Sequence, residues 1–202
     1  MNQFDKKFFS LSFFVESPDY FEGGIFHSEM NNDDYNKQYL AYIYSQLKQL
    51  EPFNRYQIFE REHPIYGPEN KTYYLVDKGL IEGAIEIETK KDNNFCLGVW
   101  QRNSTENKGA VRNFFVKYLP KMYKSIVSGK VANKLGMQFW KKLLEYFTKN
   151  NLKVTIFSGT HVEEQPYNNT NCEKYWTHVT KDNKTDPTFV SGSDRLFKFY
   201  LT

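Results

Sequence analysis

Residues 123–159 constrain the fold of this chain more than any other stretch. They read as a short apolar strand, a loop bracketed by Gly129 and Gly136, an amphipathic helix and a second apolar strand. Apolar residues recur in the helix at the three- and four-residue spacing of one buried face: Phe139, Leu143, Leu144 and Phe147. Such a strand–loop–helix–strand unit either directs the unpaired N–H groups of the helix N-terminus at an anion or serves as scaffold only.

The residues before this unit predict one helix and several short strands. A helix is expected from Asp33 or Asp34 to about Leu50, with Pro52 as its stop. Strands are expected at residues 56–60, 72–76, 80–88 and 95–101, because turn-forming residues separate these apolar runs. An alternating pattern in the third run predicts an antiparallel meander with one buried and one solvent-exposed face: Ile81, Ile85 and Ile87 against Glu82, Glu86 and Glu88.

The remaining elements place the chain in the α+β class. A helix is expected at residues 110–119, a short helix near 171–176 and a closing strand at 196–201. A meander followed by a strand–helix–strand unit predicts a mixed, mostly antiparallel central sheet flanked by helices. We expect residues 1–70 to form an N-terminal extension and a first helix packed on the core, and residues 71–202 to form the core. The aromatic run at residues 8–15 suits contact with a protein partner or a second subunit.

Composition excludes some classes of protein and leaves others open. The chain has 202 residues, of which 40% are hydrophobic and 18% aromatic, enough for a sizeable core. A formal charge of +3 gives no reason to expect a nucleic-acid partner. No leader sequence or membrane-spanning window is visible, so we expect a cytoplasmic protein with no membrane partner. The abundance of Asn, Lys, Phe and Tyr is typical of an AT-rich genome.

The cysteines and histidines do not predict a metal site. Cys96 and Cys172 lie far apart in a chain without an export signal, which favours free, buried thiols. His161 and Glu163 have the H-x-E spacing of zinc deaminases, but the P-C-x-x-C segment that completes that site is missing. His63 is expected in a loop, without the spacing of a metal ligand.

Over roughly residues 72–201, the order of predicted elements resembles that of the GNAT family of N-acetyltransferases. The run SGKVANKLGMQFWKKLLEYFTKNNLKVTIF at residues 128–157 is similar to the family's acyl-CoA-binding motif, in which a glycine-containing loop opens a long helix. The segment NTNCEKYW at residues 169–176 resembles a later helix of the family. The whole is most similar to divergent members that bacteriophages encode. The resemblance implies the GNAT fold and, for an enzyme, acetyl-CoA as cofactor.

The chain departs from the family at both patterns. The family's phosphate loop runs Arg or Gln, two residues, Gly, one residue, then Gly or Ala, because glycines let backbone N–H groups approach the diphosphate. When this pattern ends on Gly136, Lys134 replaces the first glycine and Val131 replaces the Arg or Gln. In the later helix the position of the family's acid tyrosine falls on Trp176, which has no phenolic proton, and Tyr175 precedes it.

If the chain is an enzyme, the resemblance implies an N-acyltransferase. Attack of an amine on a thioester needs a base, backbone donors for the carbonyl oxygen and an acid. The candidate catalytic residues are Glu82 or Glu86 as base, with Glu88 as a further choice, and Tyr175 as acid. The candidate cofactor-binding residues are Ser128, Gly129, Lys130, Lys134 and Gly136. A solvent-exposed strand face and a solvated helix start explain the same glutamates and lysines.

Two functions therefore remain open. The incomplete phosphate loop and the missing acid tyrosine favour a non-catalytic binding or structural protein with protein partners and no cofactor, such as a virion component of a phage. The alternative is an acyl-CoA-dependent N-acyltransferase with an atypical acyl-CoA loop. A phage protein of either kind would be found in the host cytoplasm or in the virion. The sequence does not decide whether the chain is an enzyme, nor its oligomeric state.

Overall fold

The computed structural model describes residues 28–63, 67–129, 134–158, 161–166 and 195–201. These residues contain three α-helices: α1 (Asp33–Ile43), α2 (Ala110–Lys117) and α3 (Lys134–Lys149). They also contain nine strands: β1 (Lys48–Gln49), β2 (Gln57–His63), β3 (Gly67–Asp77), β4 (Leu80–Lys90), β5 (Asn93–Gln101), β6 (Ser125–Val127), β7 (Val154–Ser158), β8 (His161–Pro166) and β9 (Arg195–Tyr200). The predicted aromatic segment at 8–15 and the predicted helix at 171–176 lie outside the described residues.

All nine described strands join one sheet in the order β1-β2-β3-β4-β5-β6-β9-β7-β8. Neighbouring strands are antiparallel except for β5 and β6, which form the one parallel pair among the described strands. The predicted class, α+β with a mixed and mostly antiparallel sheet flanked by helices, is confirmed. The predicted strand–helix–strand unit is present as β6, α3 and β7, but β9 lies between the two strands. The predicted division between residues 1–70 and 71–202 runs through β3.

Strands β2 to β5 form the predicted meander. Each pair is antiparallel, and the register shifts three times: once between β2 and β3 near His63, and twice where one extra residue is inserted. On β4 the extra residue is Glu82, which lies between Ile81 and Gly83 and has no opposite residue on β3. On β5, Leu97 is passed over between the pairs that Cys96 and Gly98 make with β4. Such bulges bend a strand and increase its twist, and they often re-aim a side chain.

The N-terminal helix is shorter than predicted. Its N-cap is Asn32, whose side chain accepts hydrogen bonds from the N–H groups of Asp34 and Tyr35, so neither aspartate is the cap. The helix ends at Ile43 and not near Leu50, and Pro52 is not its stop. Residues 44–46 form a 3-10 turn, and β1 then pairs with the edge of β2. Backbone pairing with a neighbouring strand therefore replaces the last predicted turns of the helix.

Helices cover both faces of the meander, so the predicted solvent-exposed face is wrong. On one face α1 packs against β2, β3, β4 and β5 in a cluster that includes Tyr39, Leu40, Ile43, Phe59, Tyr74, Ile81, Ala84 and Trp100. The side chain of Asn36 fixes α1 to β4, because its amide donates to the carbonyl of Ile81 at 2.8 Å and accepts from the N–H of Ile81 at 2.7 Å. The alternating glutamates of β4 therefore do not simply face solvent: Glu82 is buried and Glu86 is half-buried.

Helices α2 and α3 lie side by side on the opposite face. The ring of Phe115 on α2 contacts the rings of Phe139 and Trp140 on α3, with centroids 6.2 and 5.9 Å away. The predicted buried stripe of α3 is confirmed, and Trp140 also belongs to it. This larger core cluster joins the two helices to strands β2 to β7 and β9. The two faces give the domain three layers, with the sheet in the middle.

Candidate functional site

The parallel strands β5 and β6 form the part of the fold where the predicted cofactor-binding residues begin. They are paired at Phe95 and Val127, and β6 ends there while β5 continues to Gln101. Ser128 and Gly129 follow directly on β6, and α3 begins at Lys134. A ligand that binds at the carboxyl ends of such strands needs them to separate and to leave backbone N–H groups available.

Ser128 is tied into the sheet. Its N–H donates to the carbonyl of Phe197 on β9 at 2.7 Å, and its hydroxyl oxygen accepts from the N–H of Phe197 at 2.9 Å. The residue is buried, with 3% of its surface exposed. Its backbone N–H and its side chain are therefore both engaged with β9.

Gly129 packs directly against β5. A Cβ added to Gly129 would overlap the carbonyl oxygen of Cys96 and would lie 3.2 Å from the carbonyl carbon of the same residue. The carbonyl oxygen of Leu97 would be 3.5 Å away. Glycine is therefore required here by the close approach of two strands, and the space beside it is filled by the backbone of β5. At the end of β6 the backbone is therefore packed against β5 and held by β9.

The other predicted cofactor residues are only partly described. Lys134 is the first residue of α3 and Gly136 lies in its first turn. Lys130, together with the predicted acid Tyr175, lies outside the described residues. The structure thus places Ser128 and Gly129 at the end of β6 and Lys134 and Gly136 at the start of α3.

Glu82 is engaged in a buried polar network. Its carboxylate accepts from the guanidinium of Arg102 at 3.1 Å and from the side-chain amide of Asn107. The Asn107 oxygen accepts in turn from Arg55 and from the hydroxyl of Tyr56. Burial raises the pKa of Glu82, and the charge of Arg102 opposes this change. Glu82 therefore links β4 to the segment that leads into α2, which is a structural use of the carboxylate.

Glu86 lies in a different environment from Glu82. It is opposite Gly98 on β5 and Thr72 on β3, and it is half-buried. Burial raises its pKa, and the neighbouring carboxylate of Glu88 raises it further. The residue after it, Ile87, is paired with Cys96 on β5. The structure therefore brings one predicted base close to the strand against which Gly129 packs.

A pair of tyrosines forms a polar contact that the sequence does not reveal. The hydroxyls of Tyr73 on β3 and Tyr123 before β6 are 2.6 Å apart. Burial raises the pKa of both phenols, so both keep their protons at neutral pH. Lys71 and Glu60 form an ion pair at 3.2 Å on the neighbouring strands. Because the two tyrosines are fifty residues apart, no local pattern signals their contact.

The N-terminus of α2 is capped by the chain itself. The N–H of Ala110 donates to the carbonyl of Asn107 at 2.9 Å. The N–H of Val111 donates to the side chain of Gln101 at 3.3 Å. Two of the N–H groups that are available at a helix start are thus already satisfied. This helix start, which follows β5, therefore has two fewer N–H groups to offer a phosphate.

The described residues contain few other signs of a ligand site. Among them no group of three or more His, Cys, Asp or Glu side chains is placed to hold a metal ion. A pocket of about 350 Å³ lies at the edge of the sheet, lined by Gln46, Lys48, Glu60 and Glu62, none of which was predicted as a site residue. The prediction that His63 lies in a loop is wrong, because His63 is the last residue of β2 and is buried. In the described part of the chain, no helix has the length and apolar character of a membrane span.

The solved structures that are similar to this chain include two acetyltransferases. A GNAT family acetyltransferase from Elizabethkingia anophelis with acetyl-CoA bound aligns over 65% of this chain and 74% of its own length, at 15% identity and a TM-score of 0.34. An acetyltransferase from Bacillus subtilis in complex with CoA aligns over 77% of this chain and 97% of its own length, at 10% identity and a TM-score of 0.36. No protein-family model and no curated protein matches the chain. At these values the two superpositions do not establish membership in a family.

Proposed function

We propose that this chain is a non-catalytic binding or structural protein on an acetyltransferase-like α+β scaffold. Because the composition is typical of an AT-rich genome, we extend the proposal to a phage-encoded protein that is a component of the virion. Its partners would be other proteins, with the aromatic segment at residues 8–15 as one contact.

The observation that carries the proposal is the closure of the sheet at the end of β6. Gly129 leaves no space beside the carbonyl oxygen of Cys96, and Ser128 uses its N–H and its hydroxyl to hold β9. A diphosphate needs free N–H groups on a backbone that it can approach closely. At this point Ser128 gives both its N–H and its hydroxyl to β9 instead.

The environment of Glu82 supports the same conclusion. A general base must reach the proton that it removes, and its carboxylate must be available to do so. Both oxygens of Glu82 are engaged, one with Arg102 and one with Asn107. Removing the carboxylate from this network would leave the half-buried guanidinium of Arg102 with only the exposed Asp33 as its ion-pair partner, which is costly. We therefore assign Glu82 to the fold and not to chemistry.

One observation favours the second candidate function, an acyl-CoA-dependent N-acyltransferase. Glu86 is half-buried beside the Leu97 bulge, and burial raises its pKa. A carboxylate with a raised pKa in a partly buried place is the kind of base that removes a proton from an attacking ammonium near neutral pH. In this function Glu86 is the base, and the acid remains the predicted Tyr175.

Calorimetric titration of the full chain with acetyl-CoA separates the two functions. The non-catalytic proposal predicts no heat of binding at millimolar ligand. Micromolar binding that Lys134→Glu abolishes, while Lys142→Glu on the same helix leaves it intact, would overturn the proposal. If acetyl-CoA binds, loss of acyl transfer in Glu86→Gln with unchanged binding would identify the base.

The virion part of the proposal has its own test. Mass spectrometry of purified phage particles should detect peptides of this chain in a fixed ratio to those of the major structural proteins. Absence of the chain from purified particles, together with its presence in the lysate, would remove the virion role and would leave a non-catalytic function inside the host.

A further inference from the structure

Positive charge is concentrated in one part of the chain. Residues 108–153 contain eleven Lys and Arg residues and one acidic residue, Glu145, which is a formal charge of +10 against +3 for the whole chain. The rest of the molecule is therefore acidic overall. A strong asymmetry of this kind indicates a surface that meets an anionic partner. The total charge alone conceals it.

The fold gathers several of these lysines at one end of the sheet. Strands β6 and β7 are both antiparallel to β9, so both begin at the same end. Helix α2 leads into β6 and α3 leads into β7, so the C-termini of both helices lie there too. The exposed lysines of this region that make no ion pair among the described residues, here named the lysine end, are Lys117, Lys124, Lys149 and Lys153.

Hydrogen bonds fix the positions of two of these lysines. The carbonyl of Lys124 accepts from the N–H of Leu201 at 2.8 Å, and the carbonyl of Lys153 accepts from the N–H of Tyr200 at 3.1 Å. They therefore flank the end of β9, one on each side. With strands spaced by about 4.8 Å, their backbones are about 10 Å apart.

The charge of the lysine end is not balanced by the described residues around it. None of its four lysines has an ion-pair partner among the described residues, whereas nearby Lys121 pairs with Glu51 at 3.1 Å and Lys90 with Glu88 at 2.8 Å. Lysines at helix C-termini offset the helix dipole, but two helix ends amount to only about one negative charge together. An excess of about three positive charges remains.

Two exposed apolar side chains lie among these lysines. Met122 precedes Lys124 by two residues, and Leu152 directly precedes Lys153. They are 38% and 42% exposed, and they are two of the five large hydrophobic residues that are exposed in the described part of the chain. Both occur in the short connections that enter β6 and β7, so they share one end of the molecule.

Against the expectation of no membrane partner, we propose that the lysine end, with Met122 and Leu152, is a surface for peripheral contact with an anionic lipid bilayer. Lysines attract the negative headgroups without a fixed geometry, and exposed apolar side chains enter the boundary between headgroups and acyl chains. A nucleic acid explains the observations less well, because a phosphate backbone gives Met122 and Leu152 no apolar partner. Binding is weak for one copy of the chain and grows when several copies share one surface.

The test is cosedimentation of the full chain with lipid vesicles. Phosphatidylcholine vesicles with about 30 mol % phosphatidylserine should bind the chain at low salt, and pure phosphatidylcholine vesicles should not. Replacing all four lysines of the lysine end by Gln should weaken binding about a hundredfold or more, since each lysine near the surface contributes about fivefold. The matched control removes four exposed lysines at other places, Lys37, Lys48, Lys78 and Lys108, and should change binding only slightly.

A second variant separates lipid from nucleic acid. Met122→Ser with Leu152→Ser keeps every charge and should reduce vesicle binding about tenfold while leaving any binding of duplex DNA unchanged. The proposal is overturned if the phosphatidylserine vesicles bind nothing, or if the lysine and control variants bind them equally. Strong binding of duplex DNA, together with vesicle binding that is unchanged in the Met122→Ser, Leu152→Ser variant, would reassign the surface to a nucleic acid. Circular dichroism checks that each variant is folded.

Discussion

The contact between Gly129 and the backbone of β5 leads to the sharpest stability prediction. In Gly129→Ala the added methyl would lie inside the distance of about 3.3 Å at which carbon and carbonyl oxygen meet. Because the opposing atom belongs to the backbone of Cys96, it cannot move aside as a flexible side chain would. Strand β6 must therefore separate from β5, and the bonds between Ser128 and β9 are disturbed as well.

The expected loss of stability follows from these two effects. Overpacking a close contact costs about 1–3 kcal/mol, and each hydrogen bond that is broken in a buried site costs about 1 kcal/mol more. We expect a total of about 3 kcal/mol, which lowers the melting temperature of a chain of this size by about 6–12 °C. Urea denaturation followed by tryptophan fluorescence measures the free energy of unfolding directly.

Gly79→Ala provides the matched control. Gly79 has a positive φ of 76° in the turn between β3 and β4, and nothing lies within 4 Å of an added Cβ. This variant therefore reports the backbone strain alone, about 1 kcal/mol. If Gly129→Ala costs no more than Gly79→Ala, β5 and β6 are farther apart than described. The observation that carries the non-catalytic proposal would then be lost.

Three further predictions concern buried polar groups. Burial raises the pKa of Glu86, so between the ordinary pKa of about 4.3 and the raised pKa the folded chain holds a proton that the unfolded chain has released. The stability of the fold therefore falls as pH rises from the ordinary to the raised pKa. Glu86→Gln should therefore be more stable than the wild type at about pH 7 and not at about pH 4, and equal urea midpoints at both values would contradict this. Asn36→Ala leaves the N–H and the carbonyl of Ile81 without their side-chain partner and should lower the free energy of unfolding by about 2–4 kcal/mol. An unchanged melting curve would show that α1 is held by its apolar contacts alone. In a Cys172→Ser background the buried thiol of Cys96, whose pKa is raised by burial, should react with a thiol reagent only after unfolding, and immediate reaction in native buffer would show an open core.

Local patterns predicted most of the elements correctly. The apolar period of α3 and the turn residues between β3, β4 and β5 depend on neighbours within a few residues, so they are visible in the sequence. The end of α1 was predicted wrongly because residues 48–49 pair with β2, whose strand begins eight residues later. The alternation on β4 predicted a solvent-exposed face because a periodic pattern cannot show that α1 covers it.

The roles of the candidate site residues depended on contacts that are distant in sequence. Glu82 and Glu86 are equivalent in the sequence pattern, yet Arg102 and Asn107 engage the first and leave the second in a different environment. Gly129 is a loop glycine in the sequence, whereas the structure shows that it is needed beside Cys96. Neither distinction could be predicted, because each depends on which strands become neighbours.

The sequence by itself determined the α+β class, the meander and the amphipathic helix that follows β6, since hydrophobic periodicity and turn chemistry act over short distances. It also determined the total charge. Only the tertiary structure decided which carboxylate is engaged in an ion pair, whether the end of β6 is open, and which lysines lie at the same end of the sheet. These properties arise when segments far apart in the chain are brought together, and desolvation and close packing then act on groups that no local pattern connects.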